Sequence, residues 1–163
     1  MAIDQAGRED GGSVLDSSQQ EAKGYKMKWT MFRSAAAMQM ETMNQGLQEF
    51  FEYIKNAGPY ESKAVCPWVK LATFGNLRTP KNSLRHNGNV IGISGVEGDY
   101  DGEKVSMADA VAMLEKAQVK AIVYSSPSYT DEKPRWRVLA PCSKEHHPSS
   151  RNALLARING ALG

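Results

Sequence analysis

The stretch Asn89-Val90-Ile91-Gly92-Ile93-Ser94-Gly95-Val96-Glu97-Gly98-Asp99-Tyr100-Asp101-Gly102 constrains this chain most. Its first half, Asn89 to Ile93, reads as a strand because it is short, apolar and β-branched. A strand sends alternate side chains to one face. If the strand continues into the second half, Glu97, Asp99 and Asp101 project to the same side. Three carboxylates held close raise one another's pKa. Bulk water at an exposed edge offsets that repulsion, and so does a divalent cation in a cleft. The alternative is a hairpin tip, since Asp and Gly are favoured turn residues.

The neighbouring segments supply elements for such a strand to pair with. Trp68 to Phe74 and Lys120 to Tyr124 read as strands, and Arg135 to Leu139 as another, ended by Ala140-Pro141. Ser106-Met107-Ala108-Asp109 resembles a capping box and opens a helix whose buried face is Ala110, Val111, Leu114 and Ala117. A last helix is expected from about Pro148 to Ile158, with Asn159-Gly160 as its stop. From residue 89 the order is strand, helix, strand, strand, helix. That order implies an α+β fold of the RRM or ferredoxin-like type, an antiparallel sheet with helices on one face.

Upstream, residues 25–60 read as an N-terminal helical segment, with about Lys28 to Asn56 helical. Leu47, Phe50, Phe51 and Ile54 form the buried stripe, and Ala57-Gly58-Pro59 ends it. Met38, Met40 and Met43 read as core or interface filling. Residues 1–24 are rich in Gly, Ser, Gln and Asp without periodicity, and read as a flexible tail. The remaining 61–163 form the α+β domain.

A chain of 163 residues suffices for one domain with a real core, and a net charge of +2 is too small to imply nucleic acid by itself. The charge distribution says more. Lys63, Lys70, Arg78, Lys81 and Arg85 occur with no acid among them, acids dominate from Glu97 to Glu115, and bases return from Lys133 to Arg157. An acidic patch between basic segments suits a metal-dependent phosphate-handling site. Cys66 and Cys142 make no CxxC or Cys/His metal spacing. Two lone thiols, an N-terminus without an apolar core and no run long enough to span a bilayer imply a cytoplasmic protein without membrane partners.

Arg135 and Arg137 alternate on their strand, so both guanidinium groups share a face and can clamp a phosphate, with Trp136 turned to the core. A solvated sheet face is the alternative. The hydroxyl-rich loop Ser125-Ser126-Pro127-Ser128-Tyr129-Thr130 follows a strand, where it can hold a phosphate or sugar or simply be a loop. His146-His147 reads as a solvated loop or helix start.

Residues 68 to 163 resemble phage and plasmid primase–polymerase domains of the archaeo-eukaryotic primase superfamily. The resembling segments are Ser83-Leu84-Arg85, Gly95 to Asp101, Tyr124 to Ser128 and Pro134 to Leu139, in the family's order and at similar spacing. The resemblance implies an RRM-like core and template-directed nucleotidyl transfer with Mg²⁺ or Mn²⁺. It assigns Asp99 and Asp101 as the metal-binding catalytic acids, with Glu97 as a helper ligand. Ser126, Ser128, Tyr129, Arg135 and Arg137 would bind the nucleotide. Nucleoside triphosphates and nucleic acid are the implied partners. Two departures are visible. Tyr129 stands where the family has a nucleotide-contacting His, and the only carboxylate after Arg137 is Glu145, where a later acidic motif belongs. The expectation is therefore double: a primase–polymerase domain, as a fragment or a short form, or a catalytically inactive relative. The latter binds nucleic acid or a protein, for instance as a phage-encoded inhibitor of a host defence protein.

Overall fold

The computed structural model describes residues 25–57, 60 and 65–163; the expected tail over 1–24 and the stop at Gly58-Pro59 lie outside the described residues. Among the described residues, two antiparallel sheets and three helices make up the α+β fold. Strands β1 (Met27–Phe32), β2 (Met40–Gln45) and β3 (Trp68–Lys70) form the first sheet, in the order β2-β1-β3. Strands β4 (Ala72–Phe74), β5 (Val90–Tyr100), β6 (Ile122–Ser125) and β7 (Trp136–His146) form the second, in the order β4-β5-β7-β6. Helix α1 (Leu47–Asn56) packs on the first sheet, and α2 (Met107–Lys116) and α3 (Arg151–Leu162) cover one face of the second.

The helical reading of Lys28 to Asn56 holds only for α1; the segment before it is a hairpin. Met27 and Trp29 are buried while Lys28 between them is exposed, a period of two rather than 3.6. Trp29 sits under α1, with its ring centroid 4.7 Å from Phe50 and 4.9 Å from Tyr53. Ala37 has φ 53°, a left-handed conformation that no helix interior accepts, and it turns β1 into β2. On α1, Phe50 is buried as expected, but Phe51 is exposed and Tyr53 takes its place against Trp29.

The expected strand over Trp68 to Phe74 is two strands joined at Leu71, where the chain crosses from one sheet to the other. Every polar backbone atom of Leu71 is held by β5. Its N–H donates to the Glu97 carboxylate at 2.5 Å, and its carbonyl accepts from Ser94 N–H at 2.9 Å and Gly95 N–H at 3.1 Å. The Leu71 side chain is fully buried. Gly95 permits this approach, because a Cβ there would stand 2.5 Å from Leu71 Cδ1 and 2.6 Å from the Ala140 carbonyl oxygen. Thr30 Oγ1 donates to the Ala72 carbonyl at 2.7 Å, and Ser94 Oγ donates to the Lys28 carbonyl, closing the joint from the β1 side.

Strand alternation separates the two faces of the second sheet. Val96, Trp136, Val138 and Ala140 pack with Ala110 and Leu114 of α2 and Ile158 of α3. Leu139 and Ile122 face the other way and join Trp29, Phe50 and Leu71 beneath the first sheet. Helix α2 starts as its sequence implies: Ser106 Oγ accepts from the Asp109 N–H at 3.0 Å. Strand β7 does not end at Pro141 but runs to His146, with a register shift between Ile93 and Gly95 of β5 absorbing the proline. Helix α3 passes through Asn159-Gly160 to Leu162. His147 caps the short turn before it, accepting from Ser149 N–H at 3.3 Å. Among the described residues, no helix is long and apolar enough to cross a membrane.

Candidate nucleotide cleft

A cleft of about 720 Å³ opens between the sheets, on the face of the second sheet opposite α2 and α3. Register builds its floor. Asp99 of β5 lies opposite Arg137 of β7, which lies opposite Tyr124 of β6. One step along, Glu97 lies opposite Leu139, itself opposite Ile122. Glu97, Asp99, Arg137 and Tyr124 therefore point the same way. Trp68 and Lys70 of β3, Tyr53 near the end of α1 and the loop Ser125–Ser128 line its sides.

Of the residues the sequence singles out, the fold gathers Glu97, Asp99, Ser126, Ser128 and Arg137 on this cleft. Asp101, Tyr129 and Arg135 are not among its lining residues. Strand β5 ends at Tyr100, so the expected alternation through Asp101 breaks off, and Asp101 is exposed in the following loop. Tyr100 ends the strand by anchoring that loop. Its ring stacks on Trp136 at 4.5 Å, and its hydroxyl accepts from the N–H groups of Lys104 and Val105 at 3.1 and 2.9 Å. Gly102 passes so close that a Cβ would meet the Tyr100 ring at 2.8 Å. Arg135 pairs with Glu103 in this loop and makes no clamp with Arg137. The Arg135 hydrogen bond holds the Glu103 carboxyl below the usual glutamate range. Tyr129 is half-buried outside the cleft, with its hydroxyl 3.3 Å from Asp131.

The two carboxylates on the cleft have different partners. Glu97 has a side chain only 11% exposed; its Oε1 accepts from Leu71 N–H, and its Oε2 from Lys70 Nζ at 3.2 Å and Arg151 at 2.9 Å. Asp99, 60% exposed, meets Arg137 Nε at 2.6 Å. Arg137 is 24% exposed, lies directly opposite Tyr124 of β6 and is 5.6 Å from the Trp68 ring centroid. Burial disfavours the charge on Arg137, but Asp99 and Tyr124 outweigh it and raise its pKa. Burial pushes the Tyr124 phenol up against the opposing influence of Arg137, so it remains protonated at neutral pH. Arg85, from the loop before β5, lies 4.3 Å from the same ring centroid.

A magnesium or manganese ion needs carboxylate oxygens free to converge on one point. Both Glu97 oxygens are engaged by protein donors, Asp99 is engaged by Arg137, and Asp101 is off the strand. Among the described residues, no group of three or more His, Cys, Asp or Glu is placed to hold a metal ion. The set Glu97, Asp99 and Asp101 does not fit a divalent-cation centre in this arrangement.

What the cleft does offer is a fixed cation, hydroxyls and aromatic faces. Arg137 carries N–H donors for an anion, Ser126 and Ser128 add hydroxyls at the end of β6, and Trp68 presents a ring. Reading the sequence alone missed Trp68, Lys70 and Tyr124 as site residues. The signal was available: Trp68 and Lys70 are two apart on a strand, and Tyr124 directly precedes the hydroxyl loop. Searches against family models, curated proteins and solved structures find no match to this chain.

Proposed function

We propose that this is a primase–polymerase-like domain that binds nucleoside triphosphates or nucleic acid in the cleft between its sheets. One observation carries the reading: Arg137 is held beside Trp68 and the Ser125–Ser128 loop in a single cleft. In this reading Arg137 binds a phosphate bidentately, Ser126 and Ser128 donate to phosphate or sugar, and a base stacks on Trp68. The resemblance of residues 68 to 163 to primase–polymerase domains supports the same ligand class and a place in the cytoplasm of a host carrying a phage or mobile element. Titration with ATP and with a labelled single-stranded oligonucleotide tests it. The wild type is expected to bind, with quenching of indole fluorescence, and Arg137→Ala to lose about tenfold or more in affinity. Equal binding by Arg137→Ala, or no binding by the folded wild type, contradicts the proposal.

A second reading, a binding protein without catalysis, draws on the ion pairs that engage Glu97 and Asp99. A primer-extension assay with Mg²⁺ or Mn²⁺ separates it from an enzyme. Nucleotide addition abolished by Asp99→Ala with Asp101→Ala establishes nucleotidyl transfer. Ligand binding without addition in either metal establishes the binding protein.

A further inference from the structure

We infer that Asp99 is an internal competitor for Arg137, a carboxylate that holds the guanidinium until a phosphate displaces it. The inference rests on the reading of the cleft as a phosphate-binding site and adds how that site is regulated. Asp99 and Arg137 are directly opposite on β5 and β7, so their meeting follows from register alone. The two partners differ in how firmly they are held. Arg137 is mostly buried and fixed between Tyr124 and Trp68, whereas the Asp99 side chain is 60% exposed and meets Arg137 through Nε. A guanidinium has five N–H donors in a planar fork, and a phosphate can take two in parallel. An exposed carboxylate loses little on returning to water, so it is the partner that yields.

Glu97 gives the contrast within the same strand. Its side chain is only 11% exposed and accepts from three donors, on β3, the Leu71 joint and α3, so it is not displaceable in this way. Charge runs in the same direction. Lys70, Arg137 and Arg151 face Glu97 and Asp99, leaving one net positive charge in the cluster. Neutralising Asp99 doubles that net charge and releases the guanidinium at the same time.

The test is ATP binding in EDTA by wild type, Asp99→Asn, Arg137→Ala and Glu115→Gln. Glu115 is exposed on α2, behind the sheet, and controls for the change in overall charge. The expectation is that Asp99→Asn binds ATP about threefold to tenfold more tightly than wild type, while Glu115→Gln stays within about twofold. Equal or weaker binding by Asp99→Asn, with wild type still binding and Arg137→Ala still impaired, overturns the competitor role and leaves the cleft reading intact. Equal gains in Asp99→Asn and Glu115→Gln overturn it as well, since bulk charge then accounts for both. No binding by wild type or Asp99→Asn overturns both readings. Repeating the titration with Mg²⁺ adds an independent arm: weaker Mg²⁺-dependent binding by Asp99→Asn makes Asp99 a metal ligand and overturns the competitor role.

Discussion

Glu97 and Asp99 carry the same charge two residues apart, and burial separates their roles. Glu97 ties the Leu71 crossover, Lys70 and the first residue of α3 to β5. Removing it leaves the Leu71 N–H and two cations without their acceptor. Glu97→Ala is expected to cost about 2–3 kcal/mol, read by urea denaturation. Glu97→Gln should cost less, because its amide oxygen still accepts from Leu71 N–H. A loss of nucleotide binding with unchanged stability in Glu97→Ala would instead make Glu97 a ligand-binding residue. Glu103 supplies a pH signature. Arg135 holds its carboxyl below the ordinary glutamate value in the folded state, so the unfolded chain binds more protons in that range. The contribution is present at neutral pH and falls away as pH drops through the depressed value. The stability gap between wild type and Glu103→Gln should therefore hold at neutral pH and narrow as pH falls below the ordinary glutamate range. Glu97 and Asp99 were legible in the sequence as sharing one face, whereas Asp101 leaves the strand. The division of the three acids into a buried tie, an exposed partner of Arg137 and a loop residue was not legible, because it depends on Leu71, Arg137 and Tyr100, all distant or facing away in sequence terms.

Among the elements, the most consequential is the joint at Leu71, which turns one apolar run into strands of two different sheets. Leu71→Ala is expected to destabilise by about 2–5 kcal/mol, since the side chain is fully buried between them. Gly95→Ala should also destabilise, because the added Cβ meets the Ala140 backbone oxygen at 2.6 Å as well as Leu71. Both are read by thermal or urea unfolding, and a neutral Gly95→Ala would contradict the tight approach described. Local signals predicted the order of strands and helices from residue 89 onward, but not the ends of β7 and α3. The Ser106 cap, the strand containing Glu97 and the alternation of Arg137 with Trp136 are set by neighbours within a few residues. The stretch from Met27 to Gln45 was misread as helical because the apolar stripe of α1 was extended backwards through methionine and alanine, both good helix formers. Burial of Trp29 under α1 and pairing with β3, about forty residues away, override that propensity.

For the molecule as a whole, the second sheet separates two tasks. One face is closed by α2 and α3 around Trp136 and Ile158; the other carries the charged floor of the cleft, with the first sheet and α1 beside it. This places Trp68 and Lys70, from a strand of the first sheet, next to Arg137 and Tyr124 of the second. That Asp99 and Arg137 of the second sheet bond to each other is a property of strand register. The central claim is that this cleft receives the phosphate and base of a nucleotide. It is tested most directly by following the backbone and indole N–H signals of ¹⁵N-labelled protein by NMR as ATP is added. The prediction is that shifts concentrate at the Trp68 indole, Gly98 and Ser125 to Ser128, while α2 is unaffected. Shifts confined to α2 and α3, or no shifts at millimolar ATP, would contradict it.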